Sequence, residues 1–135
     1  MESSAVSVLV VEDFEPFRQL IRAILATDPR FQIVAEVSDG LDAVQKASDL
    51  KPDLILLDIG LPLLNGFDAA RLMRKLAPDS KIVFVTQEST ADVAQEALNL
   101  GALGYVLKIR VSRDLLLAAN SAMDGKQFVS PLTNP

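Results

Sequence analysis

Apolar residues fall along this chain in two textures: short runs with almost no polar break, and longer stretches in which they recur at helical spacing. Val6–Val11 (VSVLVV), Lys81–Val85 (KIVFV) and Asp53–Leu57 (DLILL) are of the first kind. Such runs are the mark of strands buried on both faces. Gln32–Val37 (QIVAEV) has polar ends and reads as an edge strand, and Gly104–Leu107 makes a short fifth one. Between them lie the helical stretches. Phe17, Leu20, Ile21, Ile24 and Leu25 recur behind Pro16, where a first-turn proline is tolerated, and Asp28-Pro29 ends that helix. Leu41, Val44, Ala47 and Ser48 give a weaker stripe up to Leu50. Asn65 is placed to cap a helix carrying Phe67, Ala70, Leu72 and Met73, and Ser89-Thr90 precede one through Ala94, Ala97, Leu98 and Leu100. Ser112 is expected to cap the last helix, with Leu115, Leu116, Ala119 and Met123 on its stripe and Gly125 as its stop.

Strand and helix thus alternate five times, and the strands are too apolar to keep one face in water. That combination predicts an α/β domain, a parallel sheet covered by helices on both faces in a doubly wound order. Domains commonly hold ~100–200 residues, so the 135 residues form one, predicted over residues 1–127. Residues 128–135 read as a C-terminal tail or the start of a linker.

Composition narrows the chemistry. A net charge of −5 and a pI near 4.6 argue against nucleic-acid binding by this chain, because phosphate binding needs a basic face. No apolar run approaches the ~20 residues of a membrane span, and MESSAV lacks a basic signal region, so a cytoplasmic location is expected. There is no Cys and no His. Disulfides, thiol nucleophiles, Cys-ligated zinc, a Ser-His-Asp triad and a phosphohistidine are all excluded. What remains is carboxylates, hydroxyls and lysines.

In an open parallel sheet the functional crevice lies beyond the carboxyl ends of the strands. The first strand delivers Glu12-Asp13 there, the second Ser38-Asp39, the third Asp58, the fourth Thr86 and the fifth Lys108. Any one of these is ordinary alone, as a helix cap, a strand former or a solvated lysine. Together, three acids, a hydroxyl and an ammonium leave the sheet at one edge. Close carboxylates repel and are tolerated when a cation sits among them, and three hard oxygen ligands suit Mg²⁺ or Mn²⁺. With such an ion, one carboxylate can attack phosphorus while Lys108 holds another oxygen and Thr86 hydrogen-bonds the product. Asp53 opens its strand at the opposite edge, Asp68 lies in a helix and Asp39 ends a peripheral strand, so these three are the poorer candidates for that role.

At these residues the sequence resembles the response-regulator receiver domain of two-component signalling, over Val6 to Gly125. Four ordered blocks carry the likeness: VLVVED (Val8–Asp13), LLDIGLPLLNG (Leu56–Gly66), FVT (Phe84–Thr86) and GALGYVLK (Gly101–Lys108). The resemblance implies a CheY-like, flavodoxin-like (βα)5 three-layer sandwich with strand order 2-1-3-4-5. It implies that Asp58 is phosphorylated by a sensor histidine kinase, that Asp13 ligates Mg²⁺ directly, and that Glu12 holds the metal's waters. The Gly60 carbonyl would be a further metal ligand, Lys108 the phosphate-binding lysine, and Thr86 and Tyr105 the switch pair. Pro62 and Gly66 fit the turn after the acceptor. Such a protein is a phosphoacceptor regulator, not an enzyme in its own right, and phosphorylation would pair two copies.

Ile109 follows the lysine where the family often has a cis proline, which predicts a trans Lys108–Ile109 bond. Gly60 and Glu88 occupy the two positions associated with dephosphorylation speed. The segments GYVLK, SRDLLLAANSAM and GKQFVSP resemble receivers of the NarL/FixJ and LuxR class, which carry a helix-turn-helix output domain and control transcription. A stand-alone regulator and a pseudo-receiver interaction module are the alternatives. A haloacid-dehalogenase-type phosphatase would need D-x-D after the first strand, where Glu12-Asp13-Phe14 stands. The G-x-x-x-x-G-K-[ST] and G-x-G-x-x-G phosphate loops are absent.

Overall fold

Strand β1 (Val6–Val11) lies inside the sheet, and the chain winds outward from it, to β2 on one side and to the later strands on the other. The computed structural model describes residues 5–132. After β1 come α1 (Glu15–Ala26), β2 (Phe31–Val37), α2 (Gly40–Leu50), β3 (Leu54–Leu57) and α3 (Gly66–Leu76). Then follow β4 (Lys81–Thr86), α4 (Ala91–Asn99), β5 (Gly104–Leu107), a 3-10 turn (Lys108–Arg110), α5 (Val111–Met123) and β6 (Phe128–Val129). The strand order is β2-β1-β3-β4-β5-β6, every pair parallel. The predicted fold and its order 2-1-3-4-5 are therefore present, with β2 at an edge.

Alternation along the strands feeds two cores. Leu9, Val11, Ile55 and Leu57 face α2, α3 and α4, where Ala43, Ala47, Ala69, Ala70, Met73, Ala94 and Ala97 pack. Val8, Val10, Leu54 and Leu56 face α1 and α5, against Ile21, Leu25, Leu115, Ala118 and Ala119. The side carrying three helices is lined by small residues, so those helices lie close. A Cβ on Gly40 would stand 1.8 Å from the Leu64 carbonyl oxygen, which makes glycine necessary there.

Three expectations change. The stretch read as a tail supplies a sixth strand, Gly104 pairing with Phe128 and Tyr105 with Val129. Ser112 does not cap the last helix, because the 3-10 turn runs straight into α5 at Val111 and Arg110 takes the cap position. Leu41 and Leu72, placed on helical stripes, are 55% and 40% exposed, since glycine and alanine make the contacts of α2 and α3. All described peptide bonds are trans, Lys108–Ile109 included.

Candidate functional site

Register brings the acids together. Val11 pairs with Leu57, and the Asp58 amide donates to the Val11 carbonyl at 3.2 Å, so Glu12 and Asp58 leave adjacent strands side by side. Thr86 pairs with Leu107, which puts Lys108 one residue further along the neighbouring strand. Ligand oxygens of Glu12, Asp13 and Asp58 lie within 4.8 Å of one another. Lys108 Nζ donates to Asp58 Oδ2 at 3.0 Å and stands 2.9 Å from Glu12 Oε1. It also lies 4.7 Å from the centre of the Phe17 ring, a cation–π contact.

Each group has a local reason for its place. Asp58 Oδ1 accepts from the Ile59 amide at 2.7 Å, leaving Oδ2 as the oxygen aimed at Lys108. Glu12 is almost fully buried; its Oε2 accepts from the Phe14 amide at 3.0 Å. Arg18 donates to the Glu12 carbonyl at 3.0 Å and to Ser38 Oγ at 2.8 Å, tying α1 and β2 behind the acidic pair. Gly66 opens α3 against the loop after Asp58: its amide donates to the Ile59 carbonyl at 2.7 Å, and a Cβ there would stand 2.1 Å from the Asp58 carbonyl oxygen. Gly60, by contrast, would meet nothing within 4 Å. Its lack of a side chain keeps the entrance open and is not demanded by packing.

Burial pushes the Glu12 carboxyl above the ordinary glutamate range, and the charge on Asp58 adds to that, against the downward pull of Lys108 and the Phe14 amide. Burial works to lower the Lys108 ammonium, but Glu12 and Asp58 outweigh it and hold the value above that of a free lysine. One ammonium therefore stands against three acids. The Lys108–Glu12 approach is a charge contact without hydrogen-bond alignment, so Glu12 Oε1 stays a buried acceptor with no hydrogen bond. Three hard oxygen donors, an unused buried lone pair and an exposed Asp13 fit a small divalent cation better than they fit a closed ion-pair network.

Thr86 and Tyr105 both meet Glu88, through its main chain. Thr86 Oγ1 accepts from the Glu88 amide at 3.2 Å, while the Tyr105 hydroxyl donates to the Glu88 carbonyl at 2.8 Å. Tyr105 is fully buried, and that burial, with the Glu88 charge nearby, raises its hydroxyl pKa well above the ordinary value. Glu12, Asp13, Asp58, Thr86, Glu88 and Lys108 line a cleft of about 910 Å³, walled also by Phe14, Phe17, Phe67, Val93 and Ile109. These apolar walls are not evident in the sequence, where Phe17 counts as a core position of α1; their nearness to the acidic pair in sequence is the signal that points to Phe14 and Phe17. Ser38 and Asp39 do not join the site. Ser38 anchors Arg18, and Asp39 caps α2 by accepting from the Asp42 amide at 2.8 Å.

Residues 8–120 match the response regulator receiver domain family. The chain belongs to that family. It is 30% identical over 131 residues to the transcriptional regulatory protein DegU of Brevibacillus brevis, covering 97% of this chain and 56% of that protein. It is 32% identical over 126 residues to the response regulator GacA of Pseudomonas syringae pv. syringae, covering 93% of this chain and 59% of GacA. Among solved structures, a LuxR-family response regulator from Aurantimonas sp. SI85-9A1 superposes with a TM-score of 0.87 at 26% identity, over 94% of this chain and 90% of that one. The receiver thus spans just over half the length of these curated relatives. Among the described residues no helix is long and apolar enough to cross a membrane.

Proposed function

We propose that this receiver is switched by phosphorylation of Asp58, with a sensor histidine kinase as donor. The observation that carries the reading is the convergence of Glu12, Asp13, Asp58 and Lys108 at one strand edge. Asp58 attacks the phosphorus of the donor's phosphoimidazole; the new O–P bond forms as the P–N bond breaks, and the imidazole leaves with the electron pair. Glu12, Asp13, Asp58 and the Gly60 carbonyl would hold Mg²⁺ or Mn²⁺, which when bound offsets charge on the transferring oxygens. Lys108 moves its ammonium from the Asp58 carboxylate to a phosphoryl oxygen. The attacking group is a carboxylate already paired with the Lys108 ammonium, so no general base is needed.

A phosphoryl group adds negative charge and acceptor oxygens beside Thr86. When Thr86 turns its hydroxyl to it, the bond from the Glu88 amide is lost. The Glu88 main chain also receives the Tyr105 hydroxyl, so the same event frees the ring to repack. The altered face is α4, β5 and α5, through which two phosphorylated copies would pair and an output domain for transcription control, in keeping with the name of the transcriptional regulatory protein DegU, would be governed. We infer that the receiver acts in the cytoplasm. A stand-alone regulator would use the same switch without that output.

Intact-mass spectrometry after acetyl phosphate treatment tests the reading. Wild type should gain about 80 Da, the mass of one phosphoryl group, only with Mg²⁺ present. Asp58→Asn should gain nothing while keeping its fold. An adduct that persists in Asp58→Asn places the chemistry elsewhere and overturns the assignment.

A further inference from the structure

The loop that presents Lys108 is held at its two ends by the buried Leu107 and Val111, but its middle has no apolar anchor. Ile109 is 91% exposed, and Lys108 itself reaches away from the chain towards the acids. Its restraint comes from behind, through polar groups that the phosphorylation chemistry does not use. The Leu107 amide donates to Ser130 Oγ at 3.1 Å, and Ser130 Oγ donates to Asp114 Oδ2 at 2.7 Å. Arg110 Nε donates to the same Asp114 oxygen at 2.8 Å. One carboxylate oxygen thus joins the residue before Lys108 to the residue two after it.

Both central groups are buried, Asp114 to 4% exposure and Ser130 to 1%. Ser130 is delivered there by β6, and its amide donates to the Tyr105 carbonyl at 2.8 Å. A buried carboxylate is costly unless its lone pairs are used, and an apolar side chain on α5 would pack without that cost. What the charge adds is direction: short charge-assisted bonds fix the angle between two chain segments, which methyl packing does not. Burial alone works to raise the Asp114 carboxyl, but the bonds from Arg110 and Ser130 outweigh it and hold the group ionised below the ordinary aspartate range.

We propose that Asp114 and Ser130 are positioning residues for Lys108, a clamp that brackets its loop and aims the ammonium at Asp58; this rests on the phosphoacceptor reading above. The clamp makes the aim of a site residue depend on β6, some twenty residues further along the chain. Its loss leaves the acidic cluster on β1 and β3 untouched. A merely structural role, fastening β6 to the sheet, would instead change stability without acting through the lysine.

A double-mutant cycle on the full chain separates the two. The rate of acetyl phosphate labelling at saturating Mg²⁺ is measured for wild type, Ser130→Ala, Lys108→Ala and the double variant, with Mg²⁺ affinity by calorimetry. Ser130→Ala should label about tenfold more slowly, roughly one hydrogen bond's worth, with Mg²⁺ affinity unchanged. In the Lys108→Ala background it should cost nothing further. Equal rates for Ser130→Ala and wild type, or an equal slowing in both backgrounds, overturn the clamp. Asp114→Asn, which keeps the volume and one acceptor, runs through the same cycle if Ser130→Ala folds poorly, with a smaller slowing expected. The ¹⁵N-labelled Lys108 ammonium signal, sharpened by its ion pairs, gives a readout independent of labelling. It should broaden in either clamp variant, and an unchanged signal counts against the clamp even where wild type takes no label. Absence of label in wild type itself overturns the phosphoacceptor reading.

Discussion

The two edges of the sheet treat their polar groups in opposite ways. At the amino edge Asp53 and Ser7 close on each other: Asp53 Oδ2 accepts from the Ser7 amide at 2.9 Å and hydroxyl at 3.1 Å, while Ser7 Oγ accepts from the Asp53 amide at 2.9 Å. Lys51 Nζ there donates to the Ser48 carbonyl at 3.2 Å and the Leu76 carbonyl at 2.7 Å. Charges at that edge end on backbone groups and stay in water. At the carboxyl edge the acids crowd one another around a single ammonium, and a buried glutamate oxygen is left without a hydrogen bond. The first arrangement finishes a fold. The second leaves acids that repel one another, a strain that a cation among them would relieve.

The largest expected effect tests how firmly the carboxyl edge is built. A Cβ on Gly66 would meet the Asp58 carbonyl oxygen and, at 2.7 Å, the Ile59 Cα, both backbone atoms that cannot turn away. Gly66→Ala should therefore lose about 3 kcal/mol or more in urea unfolding, at the upper end of overpacking costs. A loss below about 1 kcal/mol would mean that α3 is not laid directly on the loop after Asp58.

Next comes the cation. At a hundredfold excess over its dissociation constant, Mg²⁺ should add about 2.7 kcal/mol to wild-type stability by mass action. Asp13→Asn should abolish most of that gain, and Asp53→Ala should keep all of it, because its carboxylate lies at the other edge. Equal Mg²⁺ responses in the two variants would erase the distinction between the edges. Without metal, Asp53→Ala should cost only about 1 kcal/mol, the worth of exposed hydrogen bonds. Urea titrations with and without Mg²⁺ measure both.

Much of this was legible before any coordinates. Val6–Val11 and Leu54–Leu57 sit between helices on both faces, so their unbroken apolar runs announce them, and Asp58, Thr86 and Lys108 are conspicuous as the polar residues that end such runs. Phe128–Val129 was not legible because two half-buried residues have no period; β6 exists through backbone bonds to Leu103 and Tyr105, which composition does not reveal. The packing of α2 and α3 was only partly legible, for a related reason. Ala47, Ala70 and Met73 were on the expected stripes, but Gly40, Ala43 and Ala69 were not, because their value lies in close approach and not in hydrophobicity. Nothing in the sequence singles out Asp114, since its partner Ser130 meets it only when β6 docks.

The smallest expected effect concerns that buried aspartate, the one acid near the carboxyl edge whose oxygens are satisfied as fully as those of Asp53. Its carboxyl is held below the ordinary value of 3.8 by the bonds from Arg110 and Ser130, against the opposing push of burial. A folded-state pKa below the unfolded one means that the unfolded chain binds protons more readily on acidification. The stabilisation is therefore complete above pH 3.8 and is lost as the pH falls below that value through the folded pKa. Asp114→Asn cannot titrate, so its deficit relative to wild type should be constant from neutral pH down to about pH 4 and should narrow below it. Urea unfolding of the two proteins across that range measures the difference. A gap that does not narrow in acid would show that the Asp114 charge contributes nothing to stability, and the contrast between satisfied and strained acids would then have to rest on Asp53 alone.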